Sequence, residues 1–212
     1  MKKFIAFEGL DGCGKTTQIK LFASSLKKVK KAYFLTREPG GTKVAEKIRE
    51  ILVKRSGNNF SSITELLLIY AARHEHLKEK VIPNLKKKIV LCDRFFYSTY
   101  CYQIFANDIS MSYLNFLHKN FAFNLLPDIN ILLQIDPKIS IKRSLKIKNI
   151  ENRFEKKSRA FHNKVSKGFE SISKKKNVFK FDGNTEINLL HRNIIDLINK
   201  KKFFDFLLPY AV

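Results

Sequence analysis

Lys3-Phe4-Ile5-Ala6-Phe7-Glu8-Gly9-Leu10-Asp11-Gly12-Cys13-Gly14-Lys15-Thr16-Thr17 is the stretch that decides the fold. Residues 3–8 are a short apolar run ending in a glycine-rich turn, and beyond it Ile19, Phe22, Leu26 and Val29 recur at helical spacing. The order is therefore strand, loop, helix. Within it residues 9–16 satisfy G-x-x-x-x-G-K-[ST], in the context that motif requires. The glycines let backbone N–H groups curl round a β-phosphate, and the helix N-terminus adds positive potential. Lys15 is expected to reach the β and γ phosphates and Thr16 to offer its hydroxyl to Mg²⁺. The expected ATP-binding set is Gly9, Leu10, Asp11, Gly12, Cys13, Gly14, Lys15, Thr16 and Thr17.

The same rhythm continues downstream. Residues 32–35 predict a second buried strand, followed by the turn Pro39-Gly40-Gly41 and a helix over 42–53. A long helix is expected over 63–81 with Pro83 near its end, and residues 89–92 form a third strand that ends in Asp93. Helices over 96–106 and 112–123 precede a fourth strand at 129–135, and Pro137 opens a helix at its first position. Phe161, Val165, Phe169 and Ile172 mark another helical stripe, residues 178–181 a fifth strand, and Ile187, Leu190, Ile194 and Ile198 a closing helix. Five strands alternating with helices predict an α/β fold with a parallel sheet covered on both faces and ligands at the carboxyl ends of the strands. At 212 residues, a single domain over 1–212 is expected.

Composition excludes several classes. The longest apolar stretches, 66–72 and 203–208, fall far short of the ~20 residues of a membrane span, and no cleavage site follows Lys2 and Lys3. No membrane association is expected, and the default address is cytoplasmic. Cys13, Cys92 and Cys101 are odd in number and lack C-x-x-C spacing, so they read as free thiols. His74 and His76 point to different faces of one helix and read as solvated surface rather than a metal pair. The formal charge of +22 invites a nucleic-acid partner. Against it, Lys, Ile, Asn and Phe are abundant together, as A/T-rich codons would make them, and the lysines are dispersed without aromatic interleaving. No specific nucleic-acid partner is expected.

Asp93 ends an apolar strand, where a P-loop site needs a carboxylate to hold magnesium through water; Arg94 adds a guanidinium that can grip a phosphate bidentately. Around this pair the chain resembles the bacterial thymidylate kinases. The resemblance is carried by Thr36-Arg37-Glu38-Pro39-Gly40-Gly41-Thr42 and its continuation to Arg49, by Tyr70-Ala71-Ala72-Arg73, and by Asp93-Arg94 with Ser98-Thr99 and Tyr102-Gln103. It extends through Pro127-Asp128 and Ile135-Asp136-Pro137 to Phe181-Asp182, nearly the whole chain. It implies a three-layer P-loop fold with strand order 2-3-1-4-5, a short helical lid near 142–157, a homodimer, and transfer of phosphate from ATP to dTMP with Mg²⁺.

Carried over by position, the resemblance implies that Arg94 and Arg49 hold the acceptor phosphate and that Arg73 and Gln103 bond the thymine. It places Asp11 near the acceptor sugar and phosphate, Tyr102 where a ribose 2′-hydroxyl would need room, and Ile69, Ser98 and Thr99 on the substrate side; Glu38 is expected to be a substrate-side or magnesium-linked residue. Thr16 and Asp93 are the metal pair, and Arg143 lines the nucleotide side. Because no arginine lies in the loop, Arg153 is the candidate catalytic arginine of the lid, beside Lys15 and Arg94. Ile69 departs from the family's usual phenylalanine, Asn152 from its usual aspartate, and Cys13 from its usual small residue. Two rival readings stand beside this one: a deoxynucleoside kinase with Glu38 as general base, and a basic nucleic-acid-binding P-loop NTPase.

Overall fold

The structure, a computed structural model, describes residues 3–53, 60–146 and 157–212. Five parallel strands lie in the order β2-β3-β1-β4-β5, as the family resemblance implied: β1 (Phe4–Gly9), β2 (Tyr33–Arg37), β3 (Ile89–Asp93), β4 (Ile129–Gln134) and β5 (Val178–Asp182). In register, Phe7 lies beside Asp93 and Glu8 beside Leu132, so β1 and β3 finish nearly level. The turns that leave them consequently meet above the sheet.

β1 is buried at every position because Phe4-Ile5-Ala6-Phe7 offers an apolar side chain to both faces in alternation. Ile5 and Phe7 join Phe22 and Leu26 of α1 (Lys15–Lys28) with Ile194 and Ile198 of α9 (Ile187–Lys200). On the opposite face Phe4 and Ala6 join Leu66 and Tyr70 of α3 (Ser62–His76) and Leu114 of α6 (Met111–Phe121). Leu132 of β4 packs with Val165 and Phe169 of α8 (Arg159–Ile172). Helices thus cover the sheet on both sides. The remaining helices are α2 (Lys43–Val53), α4 (Ile82–Leu85), α5 (Phe96–Thr99) and α7 (Pro137–Lys146).

Several boundaries differ from expectation. β2 continues to Arg37 along the sheet edge, and α6 ends at Phe121 because Phe123 and Asn124 take positive φ, 52° and 48°. The helix expected over 63–81 runs on through a π-turn at Leu77–Val81 into α4, and Pro83, which has no N–H to donate, falls in the first turn of α4 directly after the π-turn. The helix expected over 96–106 is a composite: α5, a π-turn at Tyr100–Ile104 and a 3₁₀ turn at Phe105–Asn107. The three cysteines are free, and all are buried.

Two histidines are buried in the neutral form. His118 receives the Tyr70 hydroxyl at Nδ1 (3.2 Å) and faces the Leu125 carbonyl with Nε2 (2.8 Å); burial, with Arg73 nearby, drops its pKa to about 4. His191 accepts the Ala211 N–H at Nε2 (3.0 Å), and burial with the Lys28 charge likewise lowers it to about 4. An unfolded imidazole protonates at ~6.5. Below that the unfolded chain binds more protons than the folded one, so stability falls as pH drops from there towards 4. Urea unfolding at pH 7 and pH 4.5 is expected to give a lower midpoint in acid, with part of the difference gone in His118→Asn. Equal midpoints at the two pH values would contradict the neutral assignment.

Candidate active site

The loop between β1 and α1 leaves the sheet at Gly9, whose φ is 138° and where a Cβ would fall on the Leu133 carbonyl of β4. Gly14 closes the loop in the left-handed conformation (φ 98°) and caps α1 without a side chain, leaving its first N–H groups to the loop mouth. The buried Lys15 ammonium lies on the carbonyls of Gly9 (3.1 Å) and Leu10 (2.7 Å). The Thr16 hydroxyl donates to Asp93 Oδ2 at 3.0 Å. A hydroxyl and a carboxylate side by side suit Mg²⁺, which prefers hard oxygens and is usually completed by phosphates and water. Among the described residues no larger cluster of His, Cys, Asp or Glu could hold a metal.

Arg94 follows β3 with φ 68°, a conformation that costs a non-glycine residue energy and persists where neighbours enforce it. They do so here: its N–H donates to the Phe7 carbonyl (2.9 Å), and the next N–H, of Phe95, goes to Glu8 Oε1 (3.0 Å). The turn throws the guanidinium back over the loop, where Nη1 donates to Gly9 O (2.9 Å) and Ser98 Oγ (3.1 Å), and Nη2 to Asp11 Oδ1 (2.5 Å). Burial opposes the charge on Asp11, but Arg94 and Lys15 outweigh it and hold the carboxyl down to about 2. Tyr102 donates its hydroxyl to Asp11 Oδ2 (3.3 Å) and sets its ring against the Arg94 guanidinium. Ser98 in turn donates to Glu8 Oε2 at 2.5 Å. Glu8 is wholly buried, and burial raises its pKa despite these donors and Arg94.

One cleft joins this cluster to a deeper end. Its walls hold all ten residues expected on the acceptor side: Asp11, Glu38, Arg49, Ile69, Arg73, Arg94, Ser98, Thr99, Tyr102 and Gln103. Arg73 is 1% exposed and donates from Nε to Glu38 Oε2 (2.7 Å) and from Nη2 to Thr99 Oγ1 (2.9 Å), while Nη1 has no partner. Burial would raise the Glu38 carboxyl, yet Arg73 and His76 bring it below its ordinary value. Arg49 donates to the Pro39 carbonyl (2.9 Å) at the rim. Ile69 packs with Leu52 and Val53 of α2, so an aliphatic wall stands where the family usually has an aromatic ring.

A second cleft lies beyond the loop, lined by Gly14, Thr17, Arg143, Asn184, Glu186 and neighbours. Arg143 donates to the Gly183 carbonyl (3.1 Å) and Asn184 Oδ1 (3.3 Å), which ties α7 to the turn after β5. Arg153 and Asn152, with most of the expected lid, lie outside the described residues.

His76 corrects one expectation. It is fully buried rather than solvated, with Nδ1 at 3.0 Å from Glu38 Oε1 and Nε2 at 2.7 Å from Thr36 Oγ1. A Cβ on Gly41 would collide with the ring, so the glycine makes room for it. Its position three residues after Arg73 puts both on one helix face, a signal available in the sequence. His74 does point elsewhere, to the Phe121 carbonyl at 2.8 Å. Glu8 and Glu65 were also missed. Glu8 is a charge at the end of an otherwise apolar strand, and Glu65 lies on the buried face of α3.

The chain is similar to known proteins along most of its length. The family model described as "Thymidylate kinase" matches residues 7–194. A thymidylate kinase of Thermoanaerobacter sp. (strain X514) is 41% identical over 203 residues, covering 93% of this chain and 98% of the relative. One from Acholeplasma laidlawii is 39% identical over 201 residues, covering 93% and 99%. A crystal structure of thymidylate kinase from Ehrlichia chaffeensis superposes with a TM-score of 0.76 at 32% identity, covering 93% of this chain and 98% of that one. With a G-x-x-x-x-G-K-T loop after β1 and a guanidinium-lined cleft beyond β3, on a parallel sheet ordered β2-β3-β1-β4-β5, the chain belongs to the thymidylate kinase family.

Proposed function

We propose that the chain transfers the γ-phosphoryl group of ATP to the phosphate of dTMP, giving ADP and dTDP. The observation that carries this reading is one carbonyl: Gly9 O accepts both Lys15 Nζ (3.1 Å) and Arg94 Nη1 (2.9 Å). The lysine belongs to the donor loop and the arginine to the acceptor cleft, so the two cations flank the line along which phosphate would pass.

A phosphate monoester with a second pKa of ~6 is already largely dianionic at neutral pH and needs no general base. What the reaction needs is alignment and cationic surroundings that hold charge on the transferring group. Lys15, Arg94 and Arg49 supply these, and Arg153 is the residue we assign to the same task from the lid. Thr16 and Asp93 would hold Mg²⁺, whose charge would neutralise the phosphates. The rival role for Glu38 as a base towards a nucleoside hydroxyl is disfavoured, because both of its oxygens are engaged, by Arg73 and His76. At the deeper end, Arg73 and Gln103 meet the base, and Tyr102 closes the side where a ribose 2′-hydroxyl would lie. Asp11, Ser98 and Thr99 hold these cations in place.

Association into a homodimer is part of the proposal. Ile63 and Leu67 of α3 and Tyr113 and Phe116 of α6 are exposed apolar side chains, which favours that face. The aromatic-rich segment 97–105 is largely taken up by core packing. No helix among the described residues is long and apolar enough to cross a membrane, and we place the reaction in the cytoplasm.

The test offers purified protein with ATP and Mg²⁺ to dTMP, dUMP, thymidine or DNA in parallel and follows ADP. Fastest turnover is expected with dTMP. Turnover with thymidine and none with dTMP, or only with DNA, would reject the assignment.

A further inference from the structure

Gln103 has a buried neighbour that the reaction does not use directly. Glu65, on α3, is 1% exposed, and its Oε2 accepts from Gln103 Nε2 at 3.4 Å. Its other oxygen faces the Lys157 ammonium at 3.6 Å. An ionised carboxylate only accepts hydrogen bonds, whereas an amide has an accepting and a donating end that can exchange by a flip. Facing Glu65, the amide of Gln103 has a single favourable orientation, nitrogen towards the carboxylate and oxygen away. Gln103 lines the acceptor cleft, and no described residue bonds its Oε1. Arg73, in the same cleft, carries a donor without a partner at Nη1.

We propose that Glu65 is a positioning residue that makes the cleft select an imide base, by locking Gln103 with its oxygen towards the base. The inference rests on the acceptor reading above and adds the source of its selectivity. An acceptor next to a donor complements N3–H and O4 of thymine. Cytosine presents the reverse, a bare N3 and an amino group, and sets the Gln103 oxygen against the N3 lone pair and the Arg73 N–H against an amino N–H. In Glu65→Gln the new amide can turn its oxygen to Lys157 and its NH₂ to Gln103. Gln103 then flips and shows an NH₂ to the base, which suits cytosine N3 and opposes thymine N3–H.

The experiment compares kcat/KM for dTMP and dCMP in wild type, Glu65→Gln, and the swap Glu65→Gln/Gln103→Glu. In the swap, the amide introduced at position 65 donates to a carboxylate at position 103, whose second oxygen again faces the base. Glu65→Gln is expected to lower the dTMP-to-dCMP ratio on the order of tenfold to a hundredfold, mainly through KM, and the swap to recover most of that loss. An unchanged ratio in a Glu65→Gln protein that still unfolds cooperatively would overturn the inference, as would a swap no more selective than the single variant. If Glu65→Gln does not fold, the swap is set against Gln103→Glu alone, where two carboxylates face each other. A swap less selective than Gln103→Glu would then count against the inference. Wild type inactive on dTMP would instead remove the acceptor reading itself, a separate result.

Discussion

Arg94→Ala is expected to lower turnover with dTMP by about a thousandfold while ATP binding stays within roughly threefold. The guanidinium makes bonds to Gly9 O, Ser98 and Asp11 from a single left-handed residue, and no neighbour can substitute for that fork. Lys15 keeps its own contacts to the Gly9 and Leu10 carbonyls, so the loop after β1 retains its shape. Arg94→Lys tests geometry against charge: an ammonium cannot make the planar, two-pronged contact, so it should restore little. Steady-state kinetics with dTMP, together with calorimetry of ATP binding, separate the two ends of the cleft. Unchanged turnover in the alanine variant would remove Arg94 from the acceptor site.

Arg73→Met is expected to cost about 3–5 kcal/mol of stability at neutral pH, since removing one partner strands the other charge in the interior. The stranded group is Glu38, 3% exposed and left with His76. In wild type the Glu38 pKa is lowered, so its favourable contribution is present above the ordinary carboxyl range and is lost as pH falls through the lowered value. Without Arg73, burial dominates and raises that pKa. The penalty is then greatest at neutral pH and shrinks in acid, once Glu38 takes up a proton. Adding Glu38→Gln should recover much of the loss, because both charges are then gone. Urea midpoints for the three proteins at pH 7 and pH 5 check both signs, and a single variant as stable as wild type at pH 7 would show that the pair is not buried as described.

Most of the sheet was legible because its strands are runs such as Ile89-Val90-Leu91-Cys92 that only a covered parallel sheet can bury. The glycine-rich loop after β1 was legible because its glycines and Lys15 fall at fixed spacing. That Arg49, Arg73 and Arg94 share one cleft was readable only through the resemblance. Arg49, Arg73 and Arg94 lie on α2, α3 and the turn after β3, and no local pattern says that three such elements converge. Least legible were the residues behind the cleft. His76 reads as surface by composition, since a helical histidine beside charged residues usually is. Its burial depends on Glu38 arriving from another element and on Gly41 making room, which one helix cannot announce. The aliphatic wall was hidden similarly, for Leu52 and Val53 reach Ile69 only because α2 packs on α3.

The shared carbonyl of Gly9 also bears on how this site can be altered. It belongs to the main chain, so a side-chain scan passes over it: replacing Lys15 or Arg94 removes one tenant and leaves the anchor in place. Lys15 Nζ and Arg94 Nη1 are therefore both held to one point of the backbone. That point can drift little as the surrounding side chains diversify, and it is reached by a side chain at position 9 itself, where a Cβ would fall on the Leu133 carbonyl, or by backbone chemistry such as an ester in place of the following amide.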